Sequence, residues 1–365
     1  MNRQPQANRV RDLHLHIGLP KTGPSFLQQS LVANAERLRA AGLGVSDYQD
    51  PRDGASRVFR KAVAAEGLDA VMDGLAAVSG ERVVVSSEQL SDWLDSPDFA
   101  RALHRAASRH FRPRIVIFLR RQDFLKESLF AQVVKTWYAG PIADENHYDY
   151  DHDARLRRLE AVFGRENIRV LLYHDDGRNE IQRDFLRAMG LSVGPDELAP
   201  VARRNISLHR RKLLFLSQVP KPDPARQDLS RLMTDAVTRT DAIADDGGRF
   251  MLSPAERREL VARHQAGNRA VIARYGIEDA RGFGELPDLD ADWRPPPPLS
   301  PAELIATYAA VLRHCARRLG PRYGLRMAAR ALAALPAIAG ARPAAPVPDP
   351  PETGPPELPP ARDRA

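Results

Sequence analysis

Eight consecutive residues, Gly18-Leu19-Pro20-Lys21-Thr22-Gly23-Pro24-Ser25, hold one lysine, two hydroxyls and two glycines. They follow an apolar run and precede a helical pattern. A helix start offers free N–H groups and a partial positive charge, so such a turn suits an anion. The nucleotide loop G-x-x-x-x-G-K-[ST] fits at Gly18, Gly23 and Ser25, but Pro24 stands where its lysine belongs. Lys21 lies inside the loop instead, so the β- and γ-phosphate grip of an NTPase is not expected. Nor does an acidic residue end a strand to hold Mg²⁺: the run "RVVVSSE" closes on Ser86, Ser87 and Glu88. Pro24 suits a first helical position, where its missing N–H costs little. The plain alternative is a tight strand-to-helix turn with no ligand.

A second set lies in "FLRRQDFLKESLFAQ" (118–132), where Arg120 closes an apolar run and Ser128 follows eight residues later. Arginine offers a planar fork to a phosphate. A serine two turns into the next helix reaches the same anion only if that helix starts close to the strand end. Arg121 is the alternative fork. Taken singly, these residues read as a surface charge and a helix-face hydroxyl.

The elements that must position them are legible as alternating runs. Strands are expected at 13–18, 82–87, 114–120 and 168–174, and their continuous apolar character implies cover on both faces. Helices are expected at 25–42, at 96–111 with Ser96 as N-cap and Pro97 next, and at 121–138. Later helical patterns cover 179–191, 207–219 and 253–276, with loops at 220–227 and 244–248 flanking an inserted helix. The expected fold is α/β: a P-loop-like, doubly wound, mainly parallel sheet flanked by helices, with a helical C-terminal half.

Pro20-Lys21-Thr22-Gly23-Pro24-Ser25 resembles the 5′-phosphosulfate loop, commonly P-K-[ST]-G-T-T, of sulfotransferases that use 3′-phosphoadenosine-5′-phosphosulfate (PAPS). Pro24 departs from that pattern and removes one hydroxyl and one N–H. Arg120 and Ser128 match the family's 3′-phosphate pair in order and spacing. Weaker similarity to bacterial and glycan-type members runs through 83–94, 171–191, 204–214 and 268–276. The resemblance implies that Lys21, Thr22, Gly23, Pro24, Ser25, Arg120 and Ser128 bind PAPS. It implies transfer of a sulfuryl group to a hydroxyl or amine of a carbohydrate or small molecule, with no metal required.

Within that reading Lys21 stabilises charge on the bridging oxygen, and Glu88 is the first choice of base. His16 is the rival base, although a histidine between Leu15 and Ile17 also reads as a core residue, as does His14. Ser86 and Ser87 are candidates to contact donor or acceptor, and Trp137 and Tyr138 to shape an acceptor pocket. His147, His152 and nearby aspartates are the one metal-like cluster, and they read better as solvated loop residues. A P-loop kinase and a family member that binds nucleotide or a partner without turnover are the competing readings.

Length and composition bound the rest. The chain has 365 residues, is 43% hydrophobic, and carries a net charge of +7, which suits an anionic ligand or surface. The basic residues are spread, so a nucleic-acid polymer is not the expected partner. One cysteine, Cys315, excludes an intramolecular disulfide. No run approaches the roughly 20 apolar residues of a spanning helix, and the polar start lacks a signal-peptide core, so a cytoplasmic protein is expected. The expected organisation is a polar arm (1–12), the α/β domain (13–290), a Pro-rich linker (291–299), an Ala/Arg-rich helical extension (300–340) and a Pro-rich tail (341–365). One face of 300–339 is apolar and one basic, so it is a candidate for peripheral membrane contact or for packing on the domain. Neither the acceptor nor the oligomeric state is legible.

Overall fold

The computed structural model describes residues 10–46, 55–144, 148–175, 180–201, 208–219, 227–288 and 292–319. In chain order they form β1 (Arg11–Ile17), α1 (Pro24–Ala33), α2 (Ala35–Ala40), β2 (Leu43–Val45), α3 (Ala55–Ala76), β3 (Arg82–Ser87), α4 (Gln89–Trp93), α5 (Pro97–Ser108), β4 (Phe111–Leu119) and α6 (Gln122–Val133). There follow α7 (His152–Phe163), β5 (Ile168–Leu172), α8 (Ile181–Ala188), α9 (Arg210–Gln218), α10 (Gln227–Arg239), α11 (Pro254–Tyr275) and α12 (Pro301–Leu319).

The strands make one five-stranded sheet in the order β2-β3-β1-β4-β5, every neighbouring pair parallel. Side chains alternate across it. Leu13, Leu15, Ile17, Val83, Val85, Ile115, Ile117 and Leu119 join Phe59, Leu103 and Leu156 of α3, α5 and α7 in one core. Val84, Val116 and Phe118 join Leu27, Leu31, Leu38 and Phe185 of α1, α2 and α8 in the other. Burial on both faces is why the strands read as unbroken apolar runs, and the doubly wound expectation holds.

Strand order reverses beside β1: the chain leaves it towards β2 and β3, then returns to place β4 on its other flank. A crevice opens at such a point, outside the carboxyl ends of the strands. The two segments that border it are the loop 18–23 after β1 and Arg120–Arg121 after β4. The sequence motifs therefore meet at the place where this architecture leaves room for a ligand.

Several elements differ from expectation. The helix read at 25–42 breaks at Asn34, whose side chain donates to the carbonyls of Ser30 (2.9 Å) and Ala199 (3.3 Å) and accepts from the Ala199 N–H (2.7 Å). An asparagine that offers the backbone such partners competes with the helical ladder. The three-residue β2 has too few residues for a strand pattern; at its centre a Cβ on Gly44 would lie 2.2 Å from the Ser79 carbonyl oxygen. Helices α3 and α7 were also not expected.

The 300–340 stretch, read as an extension, is at least in α12 part of the fold. Val311 and Cys315 are buried with Phe215, Leu216, Met233 and Val237 of α9 and α10, and Leu304 and Tyr308 pack on the same cluster. Part of the apolar face of α12 is thus buried in the protein, while Ile305 is exposed and 320–339 lies outside the described residues. The segment before α12 lies against α9, where Arg210 donates to the Arg294 carbonyl (2.9 Å) and Arg211 to those of Pro297 (3.4 Å) and Pro298 (3.3 Å). No described helix is long and apolar enough to cross a membrane.

Candidate active site

The loop after β1 is shaped by close approaches. A Cβ on Gly18 would meet Pro24 Cβ at 2.8 Å and Glu88 Cγ at 3.3 Å, so glycine lets the helix start and the β3 end close on each other. Gly23 caps α1 with φ 84°, and a Cβ there would meet Ile181 at 2.7 Å. Lys21 itself has φ 65°, a left-handed conformation that costs an L-residue about 1 kcal/mol or more. Its carbonyl accepts from Arg120 Nη1 at 2.9 Å, which ties the loop to the end of β4. Pro24 is buried and opens α1, as its fixed φ allows.

The donors of this loop divide into spent and unspent. The Thr22 hydroxyl donates to the Leu19 carbonyl (2.8 Å), and the Ser25 hydroxyl donates to Glu88 Oε1 (3.1 Å). The Thr22 N–H also goes to Leu19 (3.4 Å). Among the described residues, the N–H groups of Lys21, Gly23 and Ser25 make no hydrogen bond, and the half-buried Lys21 ammonium has no ion-pair partner. Successive free amides beside an ammonium at a helix start form an anion cradle.

Burial, then Lys135 and Arg120, push the Lys21 ammonium below the usual lysine range, with Glu88 opposing. Burial pushes the Glu88 carboxyl up, while the Ser25 hydrogen bond and Lys21 hold it back. Glu88 thus sits at the carboxyl end of β3, partly desolvated, one hydroxyl away from the loop. Ser87 precedes it, fully buried, with its carbonyl accepting from the Gly18 N–H (3.2 Å) and its hydroxyl without a hydrogen-bond partner among the described residues.

Arg120 follows β4 as expected, but its fork is engaged. Nε donates to Asp175 Oδ2 at 2.8 Å, Nη2 donates to Asp175 Oδ1, and the guanidinium lies 5.0 Å from the Tyr173 ring centroid. Arg121 is bound to buried Asp123 through Nε (2.7 Å) and Nη2 (3.0 Å), and Arg257 shares that carboxylate. Like that of Arg120, the Arg121 fork is engaged inside the protein, while its side chain also lines the cavity beside Asp175. Ser128 is partly exposed on the second turn of α6, which begins one residue beyond Arg121. Beside Arg120 and Asp175 a cavity of about 310 Å³ opens at the ends of β4 and β5, lined in part by Phe124, Tyr173, Arg249 and Arg281.

The remaining candidates are placed elsewhere. Tyr138 is a core residue: it is buried against Phe130 and its hydroxyl donates to the Pro141 carbonyl (2.8 Å), so it does not wall a pocket. Trp137 is partly buried at the edge of the same cluster. His16 lies in the core, Nδ1 2.7 Å from the Ser86 hydroxyl, among the rings of Phe118 and Phe185; burial lowers its pKa to about 3. It is no base for a ligand outside the sheet. His14, buried on the same face, is lowered to about 4 by burial. His152 opens α7 and donates from Nε2 to the Arg120 carbonyl at 2.8 Å, and His147 lies outside the described residues. Among the described residues no three His, Cys, Asp or Glu side chains gather to hold a metal.

One residue of the site was missed from sequence. Asp175 follows β5 and has no motif around it, and it becomes visible only when the chain ends of β4 and β5 converge.

No protein-family model matches the chain, and no curated protein matches it. Among solved structures, a sulfotransferase from Alicyclobacillus acidocaldarius is similar, with a TM-score of 0.39 and 15% identity over 75% of this chain and 97% of that one. A likeness so remote leaves the function to be argued from the site residues.

Proposed function

We propose that the protein is a sulfotransferase that takes its sulfuryl group from PAPS and delivers it to a hydroxyl or amine of a carbohydrate or small molecule. The observation that carries this reading is the cradle of free Lys21, Gly23 and Ser25 amides around an unpaired Lys21 ammonium, with Glu88 alongside. Those residues fit a 5′-phosphosulfate: they supply donors and positive charge and present only one carboxylate. When bound, the donor supplies a sulfuryl group whose bond to the leaving 5′-phosphate oxygen breaks as a bond to the acceptor oxygen or nitrogen forms.

The chain's own work is positioning and charge. Lys21 and the loop amides hold the 5′ end and offset charge on the leaving oxygen, a contribution that grows where water is excluded. Glu88 takes the acceptor's proton; its raised pKa favours that transfer. Arg120 holds the Lys21 carbonyl and so keeps the loop in its left-handed turn. Ser128, Arg249 and the aromatic cavity beside Tyr173 are the surfaces for the nucleoside and its 3′-phosphate, since guanidinium and ring faces suit both.

Calorimetry with adenosine 3′,5′-bisphosphate tests the reading. Binding is expected without Mg²⁺ and in preference to ATP. Tighter ATP binding that requires Mg²⁺ would replace it with a kinase. A screen of acceptors with radiolabelled PAPS then finds the substrate. A second reading, nucleotide binding without turnover, is favoured by Pro24 and by the two loop hydroxyls being spent inside the protein. Affinity without transfer to any acceptor would select it.

A further inference from the structure

We propose that Glu127, in the middle of α6, is a positioning residue that holds the segment after α10 against the helix and so presents Arg249 to the anionic nucleotide. The inference rests on the sulfotransferase reading and adds a residue to it. The Glu127 carboxylate grips backbone: Oε2 accepts from the Met251 N–H (3.2 Å) and Oε1 from the Leu252 N–H (2.8 Å). A glutamate on a helix ordinarily faces solvent. Here burial pushes the carboxyl up to about 7, against the pull of the two amides and of Arg257, with Asp123 adding to the rise. The two bonds therefore do not offset the loss of water. A carboxylate kept beside a cavity at a cost to stability points to a role in the site.

The segment that Glu127 grips, 240–253, joins α10 to α11 with no helix or strand of its own. Arg249, two positions before Met251, lines the cavity beside Tyr173 and Asp175. Its guanidinium lies 5.4 Å from the ring centroid of Phe124 on α6 and 4.9 Å from that of Phe250, and Nη2 donates to the Asp175 carbonyl (3.1 Å). Among the described residues Arg249 has no carboxylate partner, so most of its five N–H donors remain for a ligand. Arg120 and Arg121, by contrast, have carboxylates in their forks. Phe250 is fixed from the other side. Its carbonyl accepts from Arg210 Nη1 (3.0 Å) and Trp293 Nε1 (3.2 Å), and its ring centroid lies 3.6 Å from the Arg257 guanidinium. The next two amides go to Glu127, which completes the attachment to α6. A guanidinium already held at the cavity serves a phosphate better than a free one, because less ordering remains to be done on binding. The 3′-phosphate is the anion that this cavity would take.

Adenosine 3′,5′-bisphosphate and adenosine 5′-phosphate differ by that 3′-phosphate alone, so the pair separates the Arg249 contact from the rest of the site. Both affinities are measured by calorimetry above the Glu127 pKa of about 7, for the wild type, Glu127→Gln, Arg249→Met and the double variant. Glu127→Gln keeps one acceptor oxygen and turns an N–H towards the other amide. It should lose bisphosphate affinity by about five- to twentyfold, and Arg249→Met by roughly ten- to hundredfold, the range of a hydrogen bond to a charged group. Adenosine 5′-phosphate affinity should stay within about twofold for both, as for substitutions that leave its contacts alone. The double variant should bind the bisphosphate no more weakly than Arg249→Met, because a residue that acts through another adds nothing once that other is gone. The urea midpoint of Glu127→Gln should not fall below that of the wild type, since a buried charge is removed. A Glu127→Gln chain that does not fold, equal loss of both ligands, loss of neither, or additive losses in the double variant overturns the Glu127 role while leaving the function standing. A wild-type chain that binds the bisphosphate no better than adenosine 5′-phosphate overturns the PAPS reading, and this inference with it.

Discussion

Glu88 Oε1 accepts from the Ser25 hydroxyl at the edge of the loop that carries Lys21. That bond is to Oε1, so a glutamine keeps the acceptor and the local shape while losing the basic oxygen. Glu88→Gln is therefore expected to leave adenosine 3′,5′-bisphosphate affinity nearly unchanged and to lower turnover by about 10²–10⁴-fold, the usual range for general-base catalysis. The pH profile carries a sign of its own. A base works deprotonated, so kcat/KM should fall as pH drops through a pKa above the ordinary carboxylate range, and stay level above it. A variant within a factor of a few of wild type would remove the base role from Glu88. His16 is not its successor, because burial keeps that ring neutral inside the sheet.

At the scale of elements, the long strands and the loop were legible because each carries a local signal. Buried parallel strands show as apolar runs, and Gly18, Lys21, Gly23 and Ser25 show as a strand-to-helix turn. What sequence could not show is partnership across the sheet. Arg120 ended β4 as expected, yet its fork is filled by Asp175, 55 positions later. The short β2 and the broken helix at Asn34 were missed because tertiary contacts, with Ser79 and Ala199, decide them. The Arg120–Asp175 pair makes its own prediction. Both side chains are about one-tenth exposed, 12% and 9%. Arg120→Ala leaves a buried carboxylate uncompensated and releases the Lys21 carbonyl. A loss of roughly 3–5 kcal/mol in urea-induced unfolding is expected. If stability is unchanged and only nucleotide affinity falls, Arg120 serves the ligand and not the loop.

Over the whole molecule, the question is whether α12 belongs to the domain or is appended to it. The sequence of 300–339, with one apolar and one basic face, leaves two readings open, contact with an anionic membrane or packing against the domain. The structure joins it through a buried apolar cluster and through contacts that include the Arg211–Glu303 ion pair, at 2.7 and 2.9 Å. Arg211 also donates to the carbonyls of Ala244, Pro297 and Pro298, so the guanidinium stays buried whatever happens at position 303. Glu303→Ala should therefore cost roughly 3–5 kcal/mol, most of it the unpaired Arg211 charge rather than the lost attraction. Arg211→Met with Glu303→Leu removes both charges and fills the space with apolar atoms. That double variant should recover most of the loss, because exchanging a buried pair for hydrophobic neighbours is often neutral or better. Thermal unfolding of the three proteins at neutral pH checks the pattern. Acid adds a second readout: Arg211 holds the Glu303 pKa down at about 2, so its stabilisation is present above the usual carboxylate range and is lost as pH falls through 2. The double variant should lack that acid-sensitive part. If Glu303→Ala melts like the wild type, α12 is an appendage after all.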